Sequence, residues 1–145
     1  MTSDGISDDD WKQVVERSHA LVDASSIDDE VLIQAREQEL FEVLDALERK
    51  YGPLPSLTAT RADFTDETEE RQRLLELAYQ QAIDRDDRTN LLLVCESLAE
   101  LMITDLQQKE RGAKWLKLMK AYLPPSGDEV RRYQELHRAL QDLSE

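Results

Sequence analysis

The hydrophobic residues of this chain recur at intervals of three and four, the spacing that places side chains on one face of an α-helix. The apolar-face positions of the first predicted helix, which begins at Ser7, are Trp11, Val14, Val15, Ser18, Leu21 and Val22. A break is predicted at residues 23–26, and a second stripe then runs to Tyr51, where Gly52 and Pro53 end it. The first third of the chain therefore predicts two amphipathic helices.

The same periodicity continues to the C-terminus. It predicts a short helix near 56–63 and longer helices at 65–83, 88–108 and 110–123, with a turn at 84–87. A last helix follows the capping-box sequence Ser126-Gly-Asp-Glu129. No segment alternates in the manner of a β-strand. We expect an all-α fold of about six antiparallel helices stacked as hairpins, in a single domain of residues 1–145 whose residues 1–6 form a flexible tail.

Composition refines this picture without changing the fold class. A chain of 145 residues can bury a continuous core without disulfides. The single cysteine, Cys95, falls on the apolar face of its predicted helix, so we expect an inert buried thiol. No apolar run approaches the roughly 20 residues that span a membrane, and the acidic N-terminus lacks a signal-peptide pattern. A cytoplasmic location is therefore expected.

Net charge is the most unusual property of the sequence. The chain carries −14, distributed as −11 over residues 1–48, −5 over residues 49–108 and +2 over residues 109–145. Such a charge disfavours nucleic acid and anionic membranes as partners, because both select basic surfaces. It favours association with a basic protein. The alternative, that the acidity serves only solubility, stays open at this stage.

Sequence motifs for catalysis and metal binding are weak. Glu16 and His19 have the E-x-x-H spacing of di-iron helical bundles, but the second such pair and the further carboxylates that this chemistry needs are missing. No nucleophile motif and no phosphate-binding glycine loop occurs. We therefore expect no catalytic residue, no metal and no cofactor, and we interpret the chain as a protein that is not an enzyme.

Residues 74–124 resemble tetratricopeptide-type helical repeats. The resemblance rests on the segment 97–102 (Ser-Leu-Ala-Glu-Leu-Met), on the segment 112–119 that opens with Gly112, and on Pro124. In this family a bulky residue beside a small one, here Leu98 and Ala99, allows two helices to approach closely. The interval between Ala99 and Gly112 is about one residue too long for the repeat. The resemblance implies a concave groove that is lined by the first helix of each pair.

When the groove-lining positions of the repeat family are transferred to the helix predicted at 88–108, they correspond to Leu93, Glu96, Glu100, Ile103 and Thr104. Two carboxylates one turn apart, flanked by exposed aliphatic residues, suit a ligand with an Arg or Lys head group on an apolar stem. In the alternative interpretation, the two aliphatic residues pack on a neighbouring helix pair and the two carboxylates are simply solvated. Three acidic residues of the second predicted helix complete the candidate partner-binding set: Glu37, Glu42 and Asp45.

These features favour a non-enzymatic protein-binding module, and the leading interpretation is a cytoplasmic immunity protein that neutralises a basic toxin or effector domain through its acidic surface. The chain resembles the small acidic immunity proteins of bacterial toxin systems, although this resemblance is weaker than that to tetratricopeptide repeats. The alternative is an adaptor or secretion chaperone that holds a peptide or helix in its groove. Self-association, for example as a homodimer, is a further possibility. Trp11 is a candidate anchor for a partner, although packing in the core is the favoured interpretation.

Overall fold

The computed structural model describes residues 1–144, which form seven α-helices and no strand, as the all-α prediction requires. The helices are α1 (Asp8–Ser26), α2 (Glu30–Tyr51), α3 (Pro55–Asp63), α4 (Thr68–Asp84), α5 (Arg88–Glu100), α6 (Lys109–Ala121) and α7 (Asp128–Gln141). Helix α5 continues directly into a π-helical turn, Leu101–Asp105. Within the described residues, no helix combines the length and the apolar character needed to cross a membrane.

Helices adjacent in sequence pack as hairpins. The most extensive contacts join α1 to α2, α3 to α4 and α5 to α6, while α7 packs on α6 and on the π turn. Helix α4 also packs closely on α5, whereas the contact between α2 and α3 is much smaller. The first helices of the three hairpins are therefore α1, α3 and α5. Their common side carries the groove described below.

The start of α1 matches its prediction, but its end does not. Ser7 caps the helix, since its Oγ accepts a hydrogen bond from the backbone N–H of Asp10 at 3.2 Å. The break predicted at 23–26 is wrong, because α1 continues through Ser26. The hydroxyls of Ser25 and Ser26 donate to carbonyls of the preceding turn, so these serines stay within the helix and do not end it.

The predicted capping box before α7 is also wrong. The residue that precedes this helix is Gly127, with φ of +118°, and no side chain caps the helix. Glycine adopts this left-handed region without a steric penalty, so the chain turns at Gly127 after the two prolines. The turn places Ser126 outside the capping position.

The π turn accounts for the extra residue between Ala99 and Gly112. The backbone N–H of Leu106, which directly follows the turn, donates to the carbonyl of Leu101 at 3.0 Å, five residues back. The turn therefore contains one residue more than an α-helical turn. Beyond it, Gly112 lies against Ile103, and a Cβ added at Gly112 would lie 2.6 Å from Ile103 Cγ1. Close packing of α6 on the π turn therefore requires glycine at this position.

The N-terminal residues are packed and do not form the flexible tail that we expected. Ile6 is fully buried, and the Asp4 carboxylate accepts a hydrogen bond from the backbone N–H of Ser56 at 2.8 Å. This contact caps α3, which has no side-chain cap of its own. The Asn90 side chain donates to Ser3 Oγ at 3.1 Å, which ties the same segment to the start of α5.

Buried hydrophobic residues form two clusters. The first core lies between α1, α2 and the start of α3 and consists of Ile6, Val14, Leu21, Leu40, Leu44, Leu47, Leu54 and Leu57. The second core is larger and joins the end of α3 to α4, α5, the π turn, α6 and α7. The groove runs across the boundary between these two cores.

Candidate functional site

Three neighbouring surface depressions lie along the first helices of the hairpins and share lining residues. The first depression lies between α1 and α3, the second is enclosed by α1, α3 and α5, and the third extends from α5 to the chain around Leu123. Their volumes are about 320, 250 and 580 Å³. Trp11, Thr60 and Asp63 belong to the first two depressions, and Leu93 belongs to the second and the third. We call the whole feature the groove and its middle depression the central pocket.

Apolar side chains are exposed along the groove. Val15, Val22 and Leu93 are 38%, 56% and 48% exposed, and the Trp11 ring is half-buried. Single exposed aliphatic residues are ordinary on a protein surface, whereas several that line one concave feature form a candidate interaction site. The groove therefore offers apolar surface to a ligand over its length.

The carboxylates of the central pocket lie in an unfavourable electrostatic environment. Desolvation raises the pKa of Asp63, although the residue is accessible to solvent, and Glu100 adds to this effect, which Arg71 opposes. Desolvation likewise raises the pKa of Glu96, against the lowering effect of Arg132. In both cases desolvation disfavours the charged form of the carboxylate, and the neighbouring arginine offsets this effect only in part.

Glu96 and Glu100 are brought together, as predicted, but a cation of the same chain lies between them. Arg132 of α7 places Nε 3.4 Å from Glu96 Oε1 and Nη2 3.0 Å from Glu100 Oε1. The same guanidinium also contacts Glu135 at 3.4 Å. Because one arginine serves three carboxylates, the pair is partly neutralised and a negative excess remains.

The other predicted residues of this helix are distributed differently. Leu93 lines the groove and is exposed, as expected. The predicted exposure of Ile103 is wrong, because the residue is 2% exposed and packs against Gly112. Thr104 is exposed in the π turn but lines none of the three depressions of the groove.

The three candidate residues of α2 lie away from the groove. Glu37 is half-buried, and Glu42 is exposed and accepts a hydrogen bond from Gln38 at 3.0 Å. Asp45 pairs with Arg61 of α3, with Nη2 to Oδ1 at 2.6 Å, and so connects α2 to α3. Of the predicted residues, only Leu93 and Glu96 line the groove, whereas the three acidic residues of α2 form a separate group on the second helix of the first hairpin.

Sequence reasoning missed the floor of the groove, which is provided by α3. Ser56, Thr60 and Asp63 line it at spacings of four and three, so they share one face of this short helix. Polar residues at this spacing, in a segment that also contains Leu57 and Ala62, were the signal available in the sequence. Without the fold, that polar face is indistinguishable from an ordinary solvated face.

Other reactive groups lie away from the groove. Cys95 is fully buried, and desolvation raises the pKa of its thiol to about 12, which fits the predicted inert thiol. Trp115 is 5% exposed and packs edge-on against Tyr79, with ring centroids 5.0 Å apart. Among residues 1–144, no group of three or more His, Cys, Asp or Glu side chains is arranged to hold a metal ion.

Comparison of the chain with protein-family models, with curated proteins and with solved structures finds no match. The resemblance to tetratricopeptide repeats and the weaker resemblance to immunity proteins therefore stay predictions. A functional conclusion has to rest on the shape, exposure and charge of the groove itself.

Proposed function

We propose that this protein is a non-catalytic binding protein that holds a segment of a partner protein in the groove. The proposal is supported chiefly by one observation, that exposed apolar side chains line neighbouring depressions on both sides of the groove, Val15 and Val22 on α1 and Leu93 on α5. A segment laid along such a surface buries its own apolar residues, which is the way amphipathic helices bind to hydrophobic grooves.

The charge of the groove specifies the partner further. Asp63 and Glu96 lie among the apolar side chains, and the whole chain carries −14. A segment that combines apolar residues with Lys or Arg is complementary to this surface, whereas an acidic segment is repelled. The proposed partner segment is therefore basic and amphipathic, and an adaptor or chaperone role follows.

The distribution of charge favours a second candidate, a cytoplasmic immunity protein that neutralises a basic toxin. Residues 1–48 carry −11, and Glu42 on α2 is exposed and forms no ion pair among the described residues. In this candidate, the acidic outer surface of the first hairpin covers the toxin's active site and the groove has no role. The two candidates place the partner on different surfaces, so substitutions can separate them.

Affinity capture from the native host with matched leucine variants tests the groove. Leu93→Asp places a charge in the groove, and Leu77→Asp makes the same change on α4 at a residue that is similarly exposed, 42% against 48%. We expect the wild-type chain and Leu77→Asp to capture the same partner and Leu93→Asp to lose it. Capture that is equal in all three would contradict binding in the groove.

A second pair of variants tests the acidic surface. If the partner binds outside the groove, the double variant Glu37→Gln with Glu42→Gln should weaken binding and make the association rate less dependent on salt. If the partner binds in the groove, this double variant should leave the affinity nearly unchanged. Weaker binding by the Glu37→Gln, Glu42→Gln double variant, combined with full binding by Leu93→Asp, would replace the groove proposal with the immunity candidate.

A further inference from the structure

The central pocket contains a buried hydroxyl that the unbound protein leaves without a hydrogen-bond partner. Ser56 on its floor is 8% exposed, and its buried Oγ has no hydrogen-bond partner among the described residues. A buried hydroxyl without a partner destabilises the fold, and most such groups in proteins are satisfied. This serine therefore points to a ligand that supplies a hydrogen bond.

The charge of the pocket indicates that the ligand is positively charged. Asp63 makes no ion pair or hydrogen bond within residues 1–144. The nearby Arg71 is paired with Asp105 instead, with Nη1 to Oδ2 at 3.5 Å. Glu96 shares Arg132 with two other carboxylates. The pocket thus contains two carboxylates and only a share of one cation.

The walls of the pocket indicate the rest of the ligand. The half-buried ring of Trp11 stands on the α1 side, and the exposed side chain of Leu93 stands on the α5 side. An aliphatic stem packs well against both, and the face of an indole also attracts a nearby cation. Apolar walls combined with an acidic floor are suited to amphipathic cations.

From these observations we propose that the central pocket binds an ammonium or guanidinium group on an aliphatic stem. The cationic head lies at the carboxylates of Asp63 and Glu96, and the stem packs against Trp11 and Leu93. Ser56 lies seven residues from Asp63 on α3, about 10 Å along the helix axis, so a second donor further along the ligand supplies the hydrogen bond to Ser56 Oγ. The inference deepens the proposed function, on which it rests when the cation is a Lys or Arg side chain of the partner segment. A free amine such as a polyamine has the same chemistry, and the experiment separates the two sources.

Nuclear magnetic resonance of the full chain provides the test. The chain has two tryptophans, so its spectrum contains two indole N–H signals, which Trp11→Phe assigns. We expect N-acetyl-arginine amide and agmatine to shift the Trp11 signal and to leave the signal of the buried Trp115 in place. Agmatine carries two positive charges and the capped arginine one, so the two affinities are compared at high salt, where the general attraction to the acidic chain is screened. Stronger binding of the capped arginine then identifies a protein side chain as the natural ligand, and stronger binding of agmatine identifies a free amine.

Three variants show whether the shift comes from the pocket. Asp63→Asn should weaken binding of either probe by roughly tenfold or more, since a charge-assisted hydrogen bond is lost. Ser56→Ala should weaken it to a smaller extent. Asp66→Asn removes the same charge at an exposed position three residues away and should change nothing. Ser56→Ala removes a buried hydroxyl without a partner, and Asp63→Asn removes an exposed carboxylate that forms no ion pair among the described residues, so neither should lower the urea midpoint of unfolding.

The possible outcomes separate this inference from the proposed function. No shift of Trp11 with either probe, an equal shift in Asp63→Asn, or an equal shift with Mg²⁺ alone would overturn the cation pocket. If capture of the partner still depends on Leu93 in that case, the groove proposal survives without the pocket. A shift by agmatine combined with partner capture that is indifferent to Leu93→Asp would leave the pocket and overturn the groove proposal.

Discussion

The first hairpin and the rest of the molecule are built differently. Helices α1 and α2 span 19 and 22 residues but bury only three residues each, whereas α5 buries six of its 13. Among the described residues, the first core has eight buried members and the second has fifteen. Since burial of apolar area is the main source of stability, the first hairpin should be the less stable of the two regions.

Charge increases this difference. Residues 1–48 carry −11, so like charges repel one another over the first hairpin. Polar contacts compensate in part: Asp10 on α1 binds Lys50 and Tyr51 at the end of α2, and Asp45 binds Arg61 on α3. The first hairpin therefore depends on a few specific contacts, and the second region depends on dense packing.

The groove connects the two regions. One of its walls, with Trp11 and Val15, belongs to the less stable hairpin, and the other, with Leu93, belongs to the densely packed region. A partner segment that contacts both walls should reduce opening of the first hairpin, because a ligand that binds only the folded form stabilises it. This coupling between binding and stability is a consequence of the position of the groove.

Matched leucine deletions should show the largest effect. Leu44 and Leu98 are both fully buried, in the first and second cores respectively, and Leu→Ala at such sites costs about 2–5 kcal/mol. We expect Leu98→Ala to lower the free energy of global unfolding in urea. Leu44→Ala should mainly accelerate amide hydrogen exchange in α1 and α2. Equal acceleration over the whole chain by both variants would contradict two separate regions.

A smaller effect is expected at the contact between the π turn and α6. Gly112→Ala would force Ile103 to move, and overpacking of this kind costs roughly 1–3 kcal/mol, offset by up to about 1 kcal/mol of gained helix propensity. Stability measured by urea unfolding should therefore fall by about 1 kcal/mol, and hydrogen exchange in α1 and α2 should stay unchanged. Increased stability would show that α6 does not require a glycine.

The smallest effect concerns pH and the first hairpin. Hydrogen bonds from Lys50 and Tyr51 lower the pKa of Asp10, so the stabilisation by this network is present above about pH 4 and is lost as pH falls through the lowered pKa. Asp10→Asn should therefore speed hydrogen exchange in α1 and α2 at pH 7, and the difference from the wild-type chain should shrink towards pH 3.

Asp9→Asn is the control for this prediction. Asp9 is exposed, lies in the same first turn of α1 and forms no ion pair or hydrogen bond within the described part of the chain. The same loss of charge near the helix N-terminus should then have a smaller effect than at Asp10. If both variants behave alike, the helix dipole, and not the network with Lys50 and Tyr51, explains the effect.

The helices were predictable from the sequence because their apolar periodicity is a local property. Even the short α3 was predicted within one residue of its start, at Pro55. Leu93, Glu96 and Glu100 were correctly placed on one face because α-helical phase holds as far as Glu100. It fails at Ile103, since the π turn winds more residues per turn and rotates this side chain away from the extrapolated position.

Long-range contacts could not be predicted. Arg132 lies 32 residues beyond Glu100, and nothing in the local sequence indicates that its guanidinium reaches the carboxylate pair. The same holds for Asp4, which caps a helix that begins 51 residues later. Tertiary packing decides such pairings, so the composition of the site is visible only once the hairpins are stacked.

Photo-crosslinking tests the central claim most directly. A photoreactive amino acid is placed in turn at Leu93 in the groove, at Glu42 on the acidic surface of α2 and at Leu77 on α4, and each chain is irradiated in the native host. We predict that a partner protein is crosslinked from position 93 and not from position 42 or 77. Crosslinking from position 42 without crosslinking from position 93 would contradict the groove and place the partner on the acidic first hairpin.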